Sequence, residues 1–469
     1  MNLAARSAIQ LLENTMSTTI AALATGNSPG GIGVIRISGE NAIEIANRVF
    51  ECADGSSLLD LKGYRAKFGC VKSGEEKFDN AVALVFRAPK SYTGEDVAEI
   101  SVHGGIYIIE KALGAVFAAG AQPAEAGEFT KRAFLNGKLD LTQAESVADL
   151  ISAEGEAAAQ ASFNLLQGAL SRKIGAVQDS LIDSAALMAA WVDYPDEEIP
   201  ELEQSTLEAT LKNAEAQLEE LIDSYDCGQT MTQGVETVIA GKPNAGKSTL
   251  MNLLAGREKS IVTDIAGTTR DVVEESVRLG GLVLHLNDTA GIHAGGDAVE
   301  SIGIQRAMDK ISSAVLVLAV FDSSTPLSPE DETVIEQCRG KRAIAVINKT
   351  DLEQRIDCSK IENAFAETVY ISAKSGEGVA ELEAAAKRLL GVEQFDTSAP
   401  ILANQRQKNC CRNALGYIKE AREALESGMT YDAVNVMMDS AVDELLALTG
   451  KKATIEVVNN IFSKFCVGK

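Results

Sequence analysis

Apolar residues recur at a period of two in the first part of the chain. This predicts strands at Thr18–Ala24, Gly33–Ser38, Ala81–Arg87 and Ala98–His103. Helical spacing takes over at Ala42–Phe50 and Ile106–Ala119, so Ser17–Ala133 reads as a compact α+β unit. Residues 134–233 read as helical. Leu207, Leu211, Ala214, Leu218, Leu221 and Tyr225 are spaced by four, three, four, three and four, which gives one narrow apolar stripe. Residues 234–391 alternate strand with amphipathic helix. Strands are expected at Glu236–Ala240, Leu282–Asp288, Ala314–Phe321, Ala343–Asn348 and Thr368–Ser372, the pattern of a doubly wound, mainly parallel sheet. Residues 392–469 are helical again, through Arg406–Glu426 and Thr430–Leu448. A helical region on both sides of an α/β block predicts a discontinuous helical domain with the α/β domain inserted into it.

Length agrees with this division, since 469 residues allow about three domains. The net charge of −24 changes the picture more. An acidic chain cannot hold nucleic acid by bulk attraction, so any RNA contact must be local or supplied by a partner. Between Asp193 and Asp226 there are twelve acids and one base, Lys212, expected to form a solvated helix face. The eight cysteines include no Cys-x-x-Cys pair and there are three histidines, which argues against zinc and disulfides and suits a reducing cytoplasm. No apolar run is long enough to span a bilayer. Residues 1–15 lack the features of a signal peptide and read as an extension ahead of a start at Met16.

The chemistry begins at Gly241-Lys-Pro-Asn-Ala-Gly-Lys-Ser248, a phosphate loop between a predicted strand and a predicted helix. Asn244, Ala245, Gly246, Lys247, Ser248 and Thr249 would wrap the phosphates, Lys247 bridging the β- and γ-groups and Ser248 offering its hydroxyl to Mg²⁺. Asp288-Thr289-Ala290-Gly291 ends another strand, where Asp288 can meet Mg²⁺ through water and Gly291 can bind the γ-phosphate. Asn348-Lys349-Thr350-Asp351 ends the next. Asp351 can accept two hydrogen bonds from guanine, which adenine cannot offer. Ser372 and Ala373 suit a loop on the base. Thr268 and Thr269 lie where a switch threonine closes over Mg²⁺, and Thr269 is the expected ligand. Four motifs in this order indicate a Ras-like GTPase domain. Its water-positioning glutamine is missing, because Ile292 follows Gly291. Glu300 is a candidate replacement, and Asn244 could help to hold a monovalent cation in place of an arginine finger.

Further segments are distinctive: Gly30–Gly39, Ser91–Asp96, His103–Gly105, Gly127–Asp140, Thr263–Asp271 and the terminal Cys466-Val-Gly-Lys469. With the phosphate loop they resemble the MnmE (TrmE) family of tRNA modification GTPases over nearly the whole chain. The resemblance implies an N-terminal tetrahydrofolate-binding and dimerisation domain (17–133), a helical domain in two parts (134–233 and 392–469) and a G domain (234–391). It implies homodimers that act with the FAD protein MnmG, in a heterotetramer, to add an aminomethyl or carboxymethylaminomethyl group to C5 of the wobble uridine of certain tRNAs. Arg36, Glu99, Lys138 and Lys469 would contact a 5-formyl- or methylene-tetrahydrofolate. Asn244, Thr263, Ile265 and Thr268 would surround K⁺, with Asp264, Ala266 and Gly267 in the same GTP-binding loop. Ser248 and Thr269 would hold Mg²⁺, and Glu300 would be catalytic. Two positions depart from the family pattern: His293 stands for an arginine, and Val467 for isoleucine. The rival is an Era-like regulatory or ribosome-assembly GTPase, which would need an appended RNA-binding unit that does not stand out here.

Overall fold

The computed structural model describes residues 18–193, 203–257, 275–288, 314–393, 396 and 398–469. The protein divides into two units, 1–148 with 435–469, and 149–434.

The first unit carries a seven-stranded sheet ordered β3-β4-β5-β6-β2-β1-β7. Its strands are β1 (Ile20–Leu23), β2 (Ile32–Ser38), β3 (Phe50–Cys52), β4 (Arg65–Ser73), β5 (Glu76–Phe86), β6 (Val97–His103) and β7 (Gln122–Pro123). All pairings are antiparallel except that of β7 with β1. Ile35, Ile37, Ala98, Ile100 and Val102 point to one face, where they pack with helices α1 (Ala42–Val49) and α2 (Ile106–Ala118). The alternation turns Arg36 and Glu99 to the other face, where they are register partners. The helix predicted to reach Phe50 stops at Val49, because Phe50 is buried as the first residue of β3. Helices α3 (Glu128–Leu135) and α4 (Leu141–Ser152) follow.

In the second unit, α5 (Glu156–Leu166), α6 (Ala169–Asp193), α7 (Gln204–Asp223) and α8 (Tyr225–Gln233) precede a six-stranded sheet. Its order is β13-β12-β11-β8-β10-β9, from β8 (Val235–Ala240), β9 (Glu275–Leu279), β10 (Leu282–Asp288), β11 (Leu316–Asp322), β12 (Ala343–Asn348) and β13 (Glu367–Tyr370). Only β9 runs antiparallel. Strands β11 and β12 are buried at every position, as expected for parallel strands covered on both faces. The covering helices include α9 (Lys247–Arg257), α10 (Pro329–Gln337), α11 (Cys358–Glu362) and α12 (Val379–Leu390). The chain continues as α13 (Gln405–Glu426), α14 (Tyr431–Thr449) and α15 (Ile455–Phe462).

The stripe Leu207, Leu211, Ala214, Leu218 and Leu221 is buried along α7. The acidic face of that helix is not simply solvated. Glu215 pairs with Arg422 and Glu219 with Lys419, both bases on α13, so part of the acidity serves helix pairing.

Candidate functional site

The chain order reverses around β8, whose neighbours are β10 and β11, and such a switch point is where a doubly wound sheet binds ligands. The loop leaving β8 turns through Gly241, Asn244 and Gly246, which have φ of 150°, 64° and 99°. Close packing explains both glycines. A Cβ at Gly241 would lie 2.4 Å from the Val320 carbonyl oxygen, and one at Gly246 would lie 2.1 Å from Asn348 Nδ2. The Lys247 ammonium donates to the carbonyls of Gly241 (2.7 Å) and Lys242 (3.0 Å), which holds it over its own loop. Ser248 and Thr249 are placed in the first turn of α9, both exposed. An accessible hydroxyl beside a glycine-lined loop fits the donor set that Mg²⁺ and a triphosphate require.

The base-side residues join this loop directly. Asn348 Nδ2 donates to the Ala245 carbonyl at 3.0 Å, and Asn348 Oδ1 accepts the N–H groups of Lys349 and Ala373. Lys349, at φ 66°, donates to the Asn244 carbonyl (2.9 Å) and to Asp322 Oδ2 (2.5 Å). Burial works against the Asp322 charge. The Lys349 and Ser324 hydrogen bonds and the Lys349 charge outweigh it and hold the carboxyl below its usual range. Ser372 Oγ donates to Asp351 Oδ1 at 2.9 Å, which orients the carboxylate. Thus Asn244 is tied to Lys349, Ala245 to Asn348, and Asn348 in turn to Ala373. Asp288 ends β10. Thr263, Asp264, Ile265, Ala266, Gly267, Thr268, Thr269, Thr289, Ala290, Gly291, Ile292, His293 and Glu300 lie outside the described residues.

Two supports of the loop escape the motif reading. Lys242 Nζ reaches Asp331 Oδ2 (2.7 Å) and Thr325 Oγ1 (3.2 Å). Asp331 is fully buried in the capping box of α10, where it also accepts from Ser328. Asp322 is the other support. Ser328 and Asp331 before a helical run carry a legible cap signal, but nothing in the sequence aims Asp331 at Lys242.

The first unit holds a second constellation. Arg36 Nε donates to Glu99 Oε1 at 2.8 Å, and Arg36 Nη1 donates to the Gly468 carbonyl at 3.3 Å. The guanidinium lies 5.8 Å from the Tyr92 ring centroid and 5.7 Å from that of Phe129. The tail is seated by a bridge between Ala126 and Val467 and by Gly468 at φ 99°, where a Cβ would meet the Leu23 carbonyl oxygen at 2.1 Å. Burial, reinforced by the charge of Arg36 and opposed by Glu99, lowers the pKa of the Lys469 ammonium. Arg36, Glu99 and Lys469 therefore come together. A guanidinium and an ammonium against one carboxylate, with two rings beside them, suit an anionic ligand with a flat donor-rich ring. Lys138 donates instead to the Pro89 carbonyl at 3.1 Å and lines a cavity whose walls do not include those three.

Behind this site lies a buried network that sequence reasoning missed. Arg132 is fully buried. It donates to Glu95 (3.1 Å), Glu128 (2.8 Å) and the Thr18 carbonyl (2.7 Å). Glu95 also accepts from Ser38, at the end of the strand that carries Arg36.

Comparison with known proteins identifies the family. Residues 141–466 match the MnmE helical domain and residues 19–138 the N-terminus of the GTP-binding protein TrmE. The tRNA modification GTPase MnmE of Symbiobacterium thermophilum is 40% identical over 96% of this chain and 99% of its own. That of Clostridioides difficile is 38% identical over the same shares. The chain belongs to the MnmE family of tRNA modification GTPases. Among solved structures, Aquifex aeolicus Era bound to GDP and AlF₄⁻ is similar over 39% of this chain and 66% of its own, at 25% identity and a TM-score of 0.25. As an MnmE-family member the protein binds GTP with Mg²⁺, hydrolyses it and acts in tRNA modification. All eight cysteines are free thiols, and Cys466 is exposed. No described helix is long and apolar enough to cross a membrane.

Proposed function

We propose that the protein is a K⁺-stimulated GTPase that works with an FAD-dependent MnmG-type partner. Together they add an aminomethyl or carboxymethylaminomethyl group to C5 of the wobble uridine of certain tRNAs. The observation that carries the reading beyond GTP hydrolysis is the convergence of Arg36, Glu99 and the tail, with Arg36 and Gly468 hydrogen-bonded across 432 positions. A GTPase that only switched would have no use for it.

In this reading, Arg36, Glu99, Lys138 and Lys469 hold a tetrahydrofolate in the 5-formyl or methylene state. The folate would supply the one-carbon unit. Lys247 would bind the β- and γ-phosphates, Ser248 and Thr269 would hold Mg²⁺ with Asp288 meeting it through water, and Gly291 would bind the γ-phosphate. Asp351 reads guanine, with Ser372 and Ala373 closing the pocket. Glu300 orients the attacking water, since Ile292 cannot. Asn244, Thr263, Ile265 and Thr268 hold K⁺, whose charge would face the negative charge developing between the β- and γ-phosphates. The protein works in the cytoplasm as a homodimer, joined by MnmG in a heterotetramer.

Nucleoside analysis of tRNA from a deletion strain tests the function. Wobble uridines should lose their C5 group and regain it with the wild-type gene. Unaltered nucleosides would favour an Era-like role instead. Hydrolysis should also run several-fold faster in K⁺ than in Na⁺ at equal ionic strength, because Na⁺ is too small to fill the same oxygen cage. Equal steady-state rates in the two salts would remove the cation from the mechanism.

A further inference from the structure

Helix α3 has two faces. Phe129, Arg132 and Ala133 are buried against the first unit, whereas Lys131, Phe134 and Leu135 line a cavity of about 680 Å³. At 100° per residue these sets are on opposite sides of the helix, so the cavity is separated from Arg36, which stacks beside Phe129. The opposing wall is Thr449–Asn459, with Lys451, Ile455 and Val458. The floor is largely apolar, and the volume lies within the range of roughly 300–1,000 Å³ typical of ligand sites.

Three lysines line the cavity. Lys131 donates only to Asn459 Oδ1, at 2.8 Å, Lys138 donates only to a carbonyl, and Lys451 has no hydrogen bond or ion pair among the described residues. Elsewhere in this unit Lys67 pairs with Asp54, Lys77 with Glu51, Lys111 with Glu76 and Lys452 with Asp443, while Lys62, Lys90 and Lys464 have no ion pair among the described residues. The one carboxylate in the lining, Asp140, accepts from the Thr142 hydroxyl and the Gln143 N–H at the start of α4. Thr449–Lys469 carries four lysines against one acid, in a chain of net charge −24. The ammonium groups of Lys131 and Lys451, without a carboxylate partner and on facing walls of an apolar hollow that holds Phe134, match a single-stranded nucleic acid, with phosphates at the rim and an unstacked base inside.

We propose that this cavity is the local RNA contact of the chain: Lys131 and Lys451 bind phosphates of the tRNA anticodon loop, and a splayed base enters between Phe134 and Ile455. The proposal rests on the reading of the protein as acting on tRNA.

The test uses the full chain and a fluorescein-labelled tRNA anticodon stem–loop, with anisotropy measured over a series of salt concentrations. The pair Lys131→Ala/Lys451→Ala should weaken binding about tenfold. It should also lower the slope of log K against log salt by about 1.4, near 0.7 for each single-strand phosphate that is no longer neutralised. Lys131→Arg/Lys451→Arg should keep the wild-type slope. GTP hydrolysis without RNA should not change in either pair. An unchanged slope and affinity in the alanine pair would overturn the proposal, as would undetectable RNA binding by the wild type at low salt. Loss of binding in the arginine pair would also overturn it, because the Asn459 hydrogen bond rather than the charge would then be at work. Complementation of the deletion strain separates the two readings. If the alanine pair restores modification as well as wild type, the cavity is not the RNA site. If wild type restores none, the tRNA reading itself fails.

Discussion

Gly246→Ala should abolish GTP binding at micromolar nucleotide, weakening affinity by about 100-fold or more. Two costs add. An L-residue forced into the left-handed region costs about 1–2 kcal/mol, and Gly246 sits at φ 99°. The new Cβ would then lie 2.1 Å from Asn348 Nδ2. Asn348 is almost fully buried and donates to the Ala245 carbonyl. Displacing it breaks a buried hydrogen bond and strands its partner, worth roughly 1–3 kcal/mol. Since 1.4 kcal/mol is about tenfold in affinity, the upper half of the summed range exceeds two decades. Gly256→Ala is the matched control. It lies on α9 with nothing within 4 Å of the added carbon, so it should bind GTP normally. Titration with a fluorescent guanine nucleotide measures both. A Gly246→Ala affinity within threefold of wild type would mean that the loop and Asn348 are not coupled as the hydrogen bonds indicate.

Arg132→Ala should destabilise the first unit by about 3–5 kcal/mol, the usual cost of removing one partner from a buried charge network. Glu95 and Glu128 would be left with their charges nearly enclosed. The single tryptophan, Trp191, lies in the other unit, so its fluorescence would miss the change. Hydrogen exchange would reveal it: amides of β1, β2 and β6 should exchange about 100-fold faster or more, while β11 and β12 keep their protection. The variant Arg132→Met/Glu95→Gln/Glu128→Gln removes all three charges and should recover much of the loss. Equal exchange in wild type and Arg132→Ala would show that the network carries little of the stability of this unit.

The inserted Ras-like domain was legible because β11 and β12 are apolar up to their last residue and each motif falls at a strand end. The links from Asn348 to Ala245 and from Ser372 to Asp351 follow from that order once the sheet is formed. Other parts were hidden for identifiable reasons. Strand β4 sets Lys67 and Phe68 side by side among small residues and leaves Phe68 exposed, so it lacks an apolar period. Lys242 and Asp331 are ordinary charged residues 89 positions apart. Arg132 looks like a surface base in a mixed helix, since its partner Glu95 lies 37 positions upstream and only the fold brings them together. The family resemblance singled out Arg36, Glu99 and Lys469, and geometry gives a reason for them: neighbouring strands in register, and a glycine that lets the tail approach.

The seating of that tail also bears on when the protein matures during synthesis. Strands β1 and β2 emerge early from the ribosome, but the carbonyl that Arg36 bonds belongs to Gly468. The described residues of 149–434 form a separate unit made in between. Domains tend to fold as they emerge, so the inserted GTPase can take shape while the first unit still lacks its last element. A nascent chain would therefore acquire nucleotide binding before it acquires the Arg36 site. Chains cut short by even a few codons would be competent to bind GTP yet unable to complete that site.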